Sequence, residues 1–129
     1  MLQPYTAAIT LVVPAFFFYT IAAVGKARGQ YGIKAPAVTG NENFERVFRV
    51  QMNTLEQMAL LLPALWLCAV YASDGVAALA GVVWVVGRIV YERAYVQDPS
   101  TRSLGAMVTM AATAAAFLGA AMGIIRALV

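Results

Sequence analysis

The chain has 129 residues, 62% hydrophobic and 12% charged, with a mean hydropathy of +0.76. Its net charge of +3 sits at the ends of apolar segments with no aromatic-rich basic surface beside it, which gives no support to a nucleic-acid partner. There is no histidine and only one cysteine, so the commonest metal ligand and the commonest general base are missing, and no metal is expected.

A bilayer core takes about 20 apolar residues per helical span, so a chain of this length and composition has room for four spans and little else. The expected fold is all-α, an integral membrane four-helix bundle forming a single membrane domain over 1–129. Its helices are placed at about 5–25, 43–72, 75–96 and 103–126.

The first segment, 5–25, carries Phe16, Phe17, Phe18 and Tyr19 in a row and an internal Pro14, which kinks a helix unless neighbours satisfy the freed carbonyl. No basic residue precedes it, unlike a cleaved signal peptide, so it is expected to stay as the first membrane helix. From 26 to 43 the chain mixes Lys26, Arg28 and Lys34 with Gly29, Gly32, Pro36 and Gly40, the composition of a loop. Helix resumes near Asn43, where Glu42 with Arg46 and Glu45 with Arg49 form i, i+4 pairs in the favourable order.

That helix enters the apolar tract without a turn residue and carries its charges with it. Arg46, Arg49, Asn53 and Glu56 fall at i, i+3, i+7 and i+10, along one face. Cys68, in the middle of the tract, reads as a small hydrophobe, because a low-dielectric site suppresses thiolate formation. Ser73, Asp74 and Gly75 make a tight connection to the third segment, whose end presents Arg88, Tyr91 and Tyr95 at i, i+3 and i+7. Asp98, Pro99 and Ser100 break the helix, and Arg102 stands just before the fourth segment, where Gly119 and Gly123 form a small-residue packing face.

Lysine and arginine collect in cytoplasmic loops. The first and third connections are basic and the second carries only Asp74, so loops 1 and 3 are expected in the cytoplasm and both termini on the opposite side. Two polar faces then approach each other from one side of the membrane. Ionisable groups in a membrane helix are kept mainly when paired or functional. Arg49 and Glu56 could satisfy each other, or Arg88, as an interhelical ion pair that only orients helices. Mutual pairing leaves an excess of arginine, however, and an anionic ligand is its natural complement.

The run Pro36-Ala37-Val38-Thr39-Gly40, then Phe44-Glu45-Arg46-Val47-Phe48-Arg49 with Gln51, Asn53 and Glu56, and later Leu65-Trp66, resembles the MAPEG family of membrane-associated proteins in eicosanoid and glutathione metabolism. Gly87-Arg88, Tyr91, Tyr95 and Arg102 match its microsomal glutathione transferase and leukotriene C synthase branch in order and spacing. The likeness covers nearly the whole chain; the stretch 44–56 is its specific part.

The resemblance implies a homotrimer that binds glutathione between neighbouring subunits near the cytoplasmic side. Arg28, Arg49, Gln51, Asn53, Glu56, Tyr91 and Tyr95 would contact glutathione as co-substrate, and Arg102 would stabilise its thiolate. Arginine stays protonated, so its part is electrostatic. Lowering a thiol pKa by about two units takes roughly 2.7 kcal/mol of preferential thiolate stabilisation.

The implied activity is that of a membrane glutathione transferase acting on a hydrophobic electrophile or lipid, with glutathione-dependent lipid peroxidase chemistry open to the same thiolate. The alternative is a non-catalytic lipid-binding scaffold of the lipoxygenase-activating type, in contact with membrane lipids but without chemistry. Gln57 departs from the leukotriene synthase branch, which has a tyrosine there. The richness in alanine and valine points to a bacterial inner-membrane member.

Overall fold

Proline at the start and glycine at the stop set the bounds of the first helix in the structure, a computed structural model that describes residues 2–129. Helix α1, Pro4–Tyr31, begins on a residue whose missing N–H would have had no helical partner. It ends at Gly32, which takes the left-handed conformation (φ 68°) and donates its N–H to the Arg28 carbonyl. The helix therefore runs past Gly25, into the stretch expected as loop. Lys26, Ala27, Arg28 and Gln30 are good helix formers, and nothing before Gly32 supplies a stop. The first connection shrinks to 32–41.

Helix α2, Glu42–Tyr71, is capped by Asn41, whose Oδ1 accepts the Phe44 N–H at 3.1 Å, and Glu42 and Glu45 lie in its first turn, where the helix dipole favours them. Helix α3, Asp74–Gln97, follows a two-residue connection and is capped by the Ser73 hydroxyl at 3.3 Å from the Val76 nitrogen. A 3-10 turn at Pro99–Thr101 leads into helix α4, Ser103–Leu128.

Three contacts fix the direction of every helix. The Asp74 carboxylate accepts the N–H groups of Tyr5 at 3.0 Å and Thr6 at 2.8 Å, so the starts of α1 and α3 lie together. Gly123 near the end of α4 sits directly against the Tyr71 carbonyl at the end of α2, where an added Cβ would clash. Arg46 in the first turns of α2 reaches the Gln97 carbonyl at the end of α3. The bundle is thus up-down-up-down, and the first and third connections share one end.

Helices α2 and α3 pack on each other and on both remaining helices, α1 to one side and α4 to the other. Trp84, Leu61, Leu65 and Val13 are fully buried between them. The Gly119–Gly123 face packs on α2, against Cys68 and Tyr71, within the same chain. Each helix is long and apolar enough to cross a membrane. Leu11, Phe18, Val70, Leu79, Phe117 and Ile125 point outward, as a hydrocarbon solvent requires.

Candidate functional site

The charged face of α2 and the end of α3 meet in one hydrogen-bonded chain. Arg49 sends Nη1 to Glu56 Oε1 and Nη2 to Oε2, each at 3.4 Å, with both side chains about half exposed. Asn53 Nδ2 lies 3.5 Å from Glu56 Oε2, and Asn53 Oδ1 accepts Arg88 Nη1 from α3 at 2.9 Å. Arg88 Nη2 donates to the Thr54 hydroxyl at 2.8 Å, which itself donates to the Val50 carbonyl at 2.7 Å.

These links differ in strength. A half-exposed pair such as Arg49 and Glu56 contributes at most about 1 kcal/mol, so a ligand can open it at little cost. Arg88 is 1% exposed, and among the described residues it bonds only neutral oxygens and its buried Nε has no partner. Its guanidinium lies 4.3 Å from the centre of the Tyr91 ring and 6.0 Å from that of Trp84. A buried cation with no carboxylate in direct contact, and Glu56 acting on it only from across Asn53, keeps a positive field beneath the cluster.

Tyr91 is buried and stacks on half-buried Tyr95 with ring centres 5.4 Å apart. Gly105 of α4 lies directly on the Tyr91 backbone, so no side chain separates α4 from this point of α3. Arg49, Arg88 and Arg102 all stand near enough to the Tyr91 phenol to act on it electrostatically. A groove of about 460 Å³ brings Arg46, Phe48 and Arg49 of α2 together with Tyr95 and Pro99.

Arg102 itself is exposed and, among the described residues, its side chain donates only to the Pro99 carbonyl, at 3.0 Å. The segment before it bonds to itself: Asp98 Oδ1 accepts the Ser100 N–H at 3.0 Å and hydroxyl at 2.8 Å, and Thr101 Oγ1 donates to the Asp98 carbonyl at 2.8 Å. The Ser100 N–H, then its hydroxyl, hold the Asp98 carboxyl below the ordinary aspartate range, with a smaller contribution from Arg46.

Two expected contacts lie elsewhere. Arg28 donates to the carbonyls of Ala37 at 2.7 Å and Ile33 at 3.4 Å and lies 5.0 Å from the centre of the Phe44 ring, so it staples the first loop onto α2. Phe44 and Arg49 are five residues apart, which places them roughly 140° apart around the helix. Gln51, half-buried, makes no hydrogen bond among the described residues, and it points nearly opposite to Arg49. The remaining residues (Arg49, Asn53, Glu56, Tyr91, Tyr95 and Arg102) gather at one end.

Thr54, which holds Arg88, is the member of this hydrogen-bonded chain that the sequence does not single out. Only its adjacency to Asn53, facing the same partner helix, could have signalled it. Among the described residues no group of His, Cys, Asp and Glu is placed to hold a metal ion.

The MAPEG family model matches residues 6–122. An uncharacterized protein of Synechocystis is 48% identical over 101 residues, covering 78% of this chain and 74% of that protein. Human microsomal glutathione S-transferase 2 is 34% identical over 118 residues, 92% of this chain and 80% of the relative. Rat leukotriene C4 synthase is 34% identical over 115 residues, 82% of this chain and 77% of the relative.

Proposed function

The chain belongs to the MAPEG family, and from that premise we propose that this integral membrane protein is a glutathione transferase acting on hydrophobic electrophiles that arrive through the bilayer. The observation that carries the reading is the surplus of guanidinium at one end of the bundle: Arg49, Arg88 and Arg102 around two stacked phenols, with Glu56 as the one carboxylate bonded to any of the three among the described residues, on Arg49. Glutathione complements that set. Its carboxylates suit the Arg49 fork, its ammonium can take over Glu56, and Asn53, Tyr91 and Tyr95 offer further hydrogen bonds.

Arg102 then faces the sulfur. The thiol gives its proton to solvent, and the guanidinium stabilises the thiolate left behind. The sulfur lone pair forms the bond to the electrophilic carbon, and the displaced pair leaves with the leaving group or is protonated after addition. With a lipid hydroperoxide the thiolate attacks the terminal oxygen, the O–O bond breaks, the lipid alkoxide takes a proton from water and leaves as the alcohol, and a second glutathione thiol converts the sulfenic acid to disulfide and water.

Arg28 and Gln51 enter this reading only from a neighbouring copy, because within one chain they face away from Arg49. A homotrimer with the site between copies supplies them. We place the single membrane domain in a bacterial inner membrane, with loops 1 and 3 cytoplasmic and both termini opposite, as the basic loops favour.

The test compares conjugation of a chromogenic electrophile by the parent and by Arg102→Ala. A thiol pKa restored from about 6.5 to about 8.5 cuts the thiolate fraction at pH 7 by roughly 25-fold, and kcat should fall by that factor while KM for glutathione changes little. Full activity in the variant would remove Arg102 from the mechanism. No conjugation by the parent, together with tight lipid binding, would favour the scaffold role.

A further inference from the structure

The segment 98–102 carries Arg102 but makes almost all its hydrogen bonds within itself or to the last turn of α3. Asp98 holds Ser100, Thr101 Oγ1 bonds the carbonyls of Asp98 and Ala94, and Arg102 returns to Pro99. It therefore forms a self-bonded block. At its far end α4 is locked by Gly105 against the Tyr91 backbone. At its near end the carbonyl of Gln97, in the last helical residue, has no partner inside the helix.

Arg46 of α2 fills that place. Its Nη1 donates to the Gln97 carbonyl at 3.1 Å while Nη2 pairs with Glu42, and the guanidinium is thereby fixed at two points 55 residues apart in sequence. Its Nε is buried and its side chain is only 22% exposed. Among the described residues, this is the one hydrogen bond that reaches residues 97–102 from α2; on the other side the Ala106 N–H of α4 donates to the Arg102 carbonyl at 3.1 Å.

We propose that Arg46 is a positioning residue for the thiolate site: by clamping the end of α3 it fixes the block that carries Arg102, without touching glutathione. The inference rests on the glutathione reading above. A planar fork can hold the Glu42 carboxylate and the Gln97 carbonyl together, whereas an ammonium or an amide holds one of them well. Without the clamp the block swings about Asp98, whose backbone is extended (φ −153°, ψ 108°), and Arg102 shifts against the sulfur. A displacement of about 1 Å at a reacting group costs up to a hundredfold in rate.

The experiment uses the full chain in detergent, as parent, Arg46→Gln and Arg46→Lys. Backbone hydrogen exchange is read at 98–102 and, as an internal control, at 53–56; thiolate absorbance with glutathione is read against pH, alongside kcat and KM. In Arg46→Gln, exchange at 98–102 should rise about tenfold with 53–56 unchanged, and the thiolate midpoint should move up by about one pH unit. In the same variant kcat at pH 7 should fall several-fold with KM held within roughly threefold, and Arg46→Lys should recover part of each. Unchanged exchange would overturn the clamp. Raised exchange with an unmoved thiolate midpoint, or a loss confined to KM, would overturn the positioning role. A parent that forms no thiolate would defeat the glutathione reading and with it the catalytic half of the proposal, while the exchange arm would still decide the clamp.

Discussion

Arg88 shows most clearly how one side chain couples fold and site. It joins α3 to α2 through Asn53 and Thr54, lies under the face of Tyr91, and meets no carboxylate within 4 Å among the described residues. Replacing it by lysine keeps the charge but cannot serve Asn53 and Thr54 with the same fork. At about 1.5–3 kcal/mol per hydrogen bond to a charged group, Arg88→Lys should lower stability by roughly 2 kcal/mol, read as a drop in the thermal unfolding midpoint in detergent. An unchanged midpoint would show that the bridge does not hold the two helices.

Asp98 gives a pH signature with a definite sign. Its folded carboxyl titrates below the ordinary value, so the contribution of the Ser100 cap is fully present above the unfolded aspartate pKa of about 3.9 and is lost as pH falls through the lower folded value. The Ser100 amide resonance should therefore stay constant from neutral pH down to about 4 and shift only below it. In Asp98→Asn the shift should vanish.

On the scale of helices, close approach is the controlling variable. Gly105 lies against the Tyr91 backbone, so Gly105→Ala must push α4 away from α3 and move the tyrosine. Gly25 is also helical but has open space around it, and there alanine relieves the conformational entropy of glycine. Gly25→Ala should stabilise by about 0.5–1 kcal/mol, whereas Gly105→Ala should destabilise by 1 kcal/mol or more, as about 1–3 kcal/mol is usual for overpacking. Thermal unfolding of the two variants in one detergent decides the contrast.

Helix count and polarity were legible because apolar runs are long and charges sit between them. The stripe from Arg49 to Glu56 was legible because helical spacing alone puts those residues on one face. The end of α1 was not. Lys26 and Gly29 look like loop residues, yet the stop comes at Gly32, where a left-handed residue and a carbonyl bond coincide. Nor was the posture of Arg28 legible, since its partners are backbone carbonyls that no sequence pattern marks. The reach of Arg46 to Gln97 depends on how α2 and α3 are set side by side, which composition does not encode.

For the molecule as a whole, the up-down-up-down path brings both basic connections to one end and leaves the outer faces apolar. That arrangement concentrates guanidinium where a water-soluble peptide could enter from one side and a lipid-soluble electrophile from the bilayer. Arg28 and Gln51 face elsewhere, and under the proposed function they would serve the site of a neighbouring copy. The most direct measurement is the ultraviolet difference spectrum on adding glutathione to the detergent-solubilised protein at neutral pH. A saturable thiolate band, lost in Arg102→Ala although glutathione still binds, is the expected result; no thiolate band at saturating glutathione would contradict the glutathione transferase function.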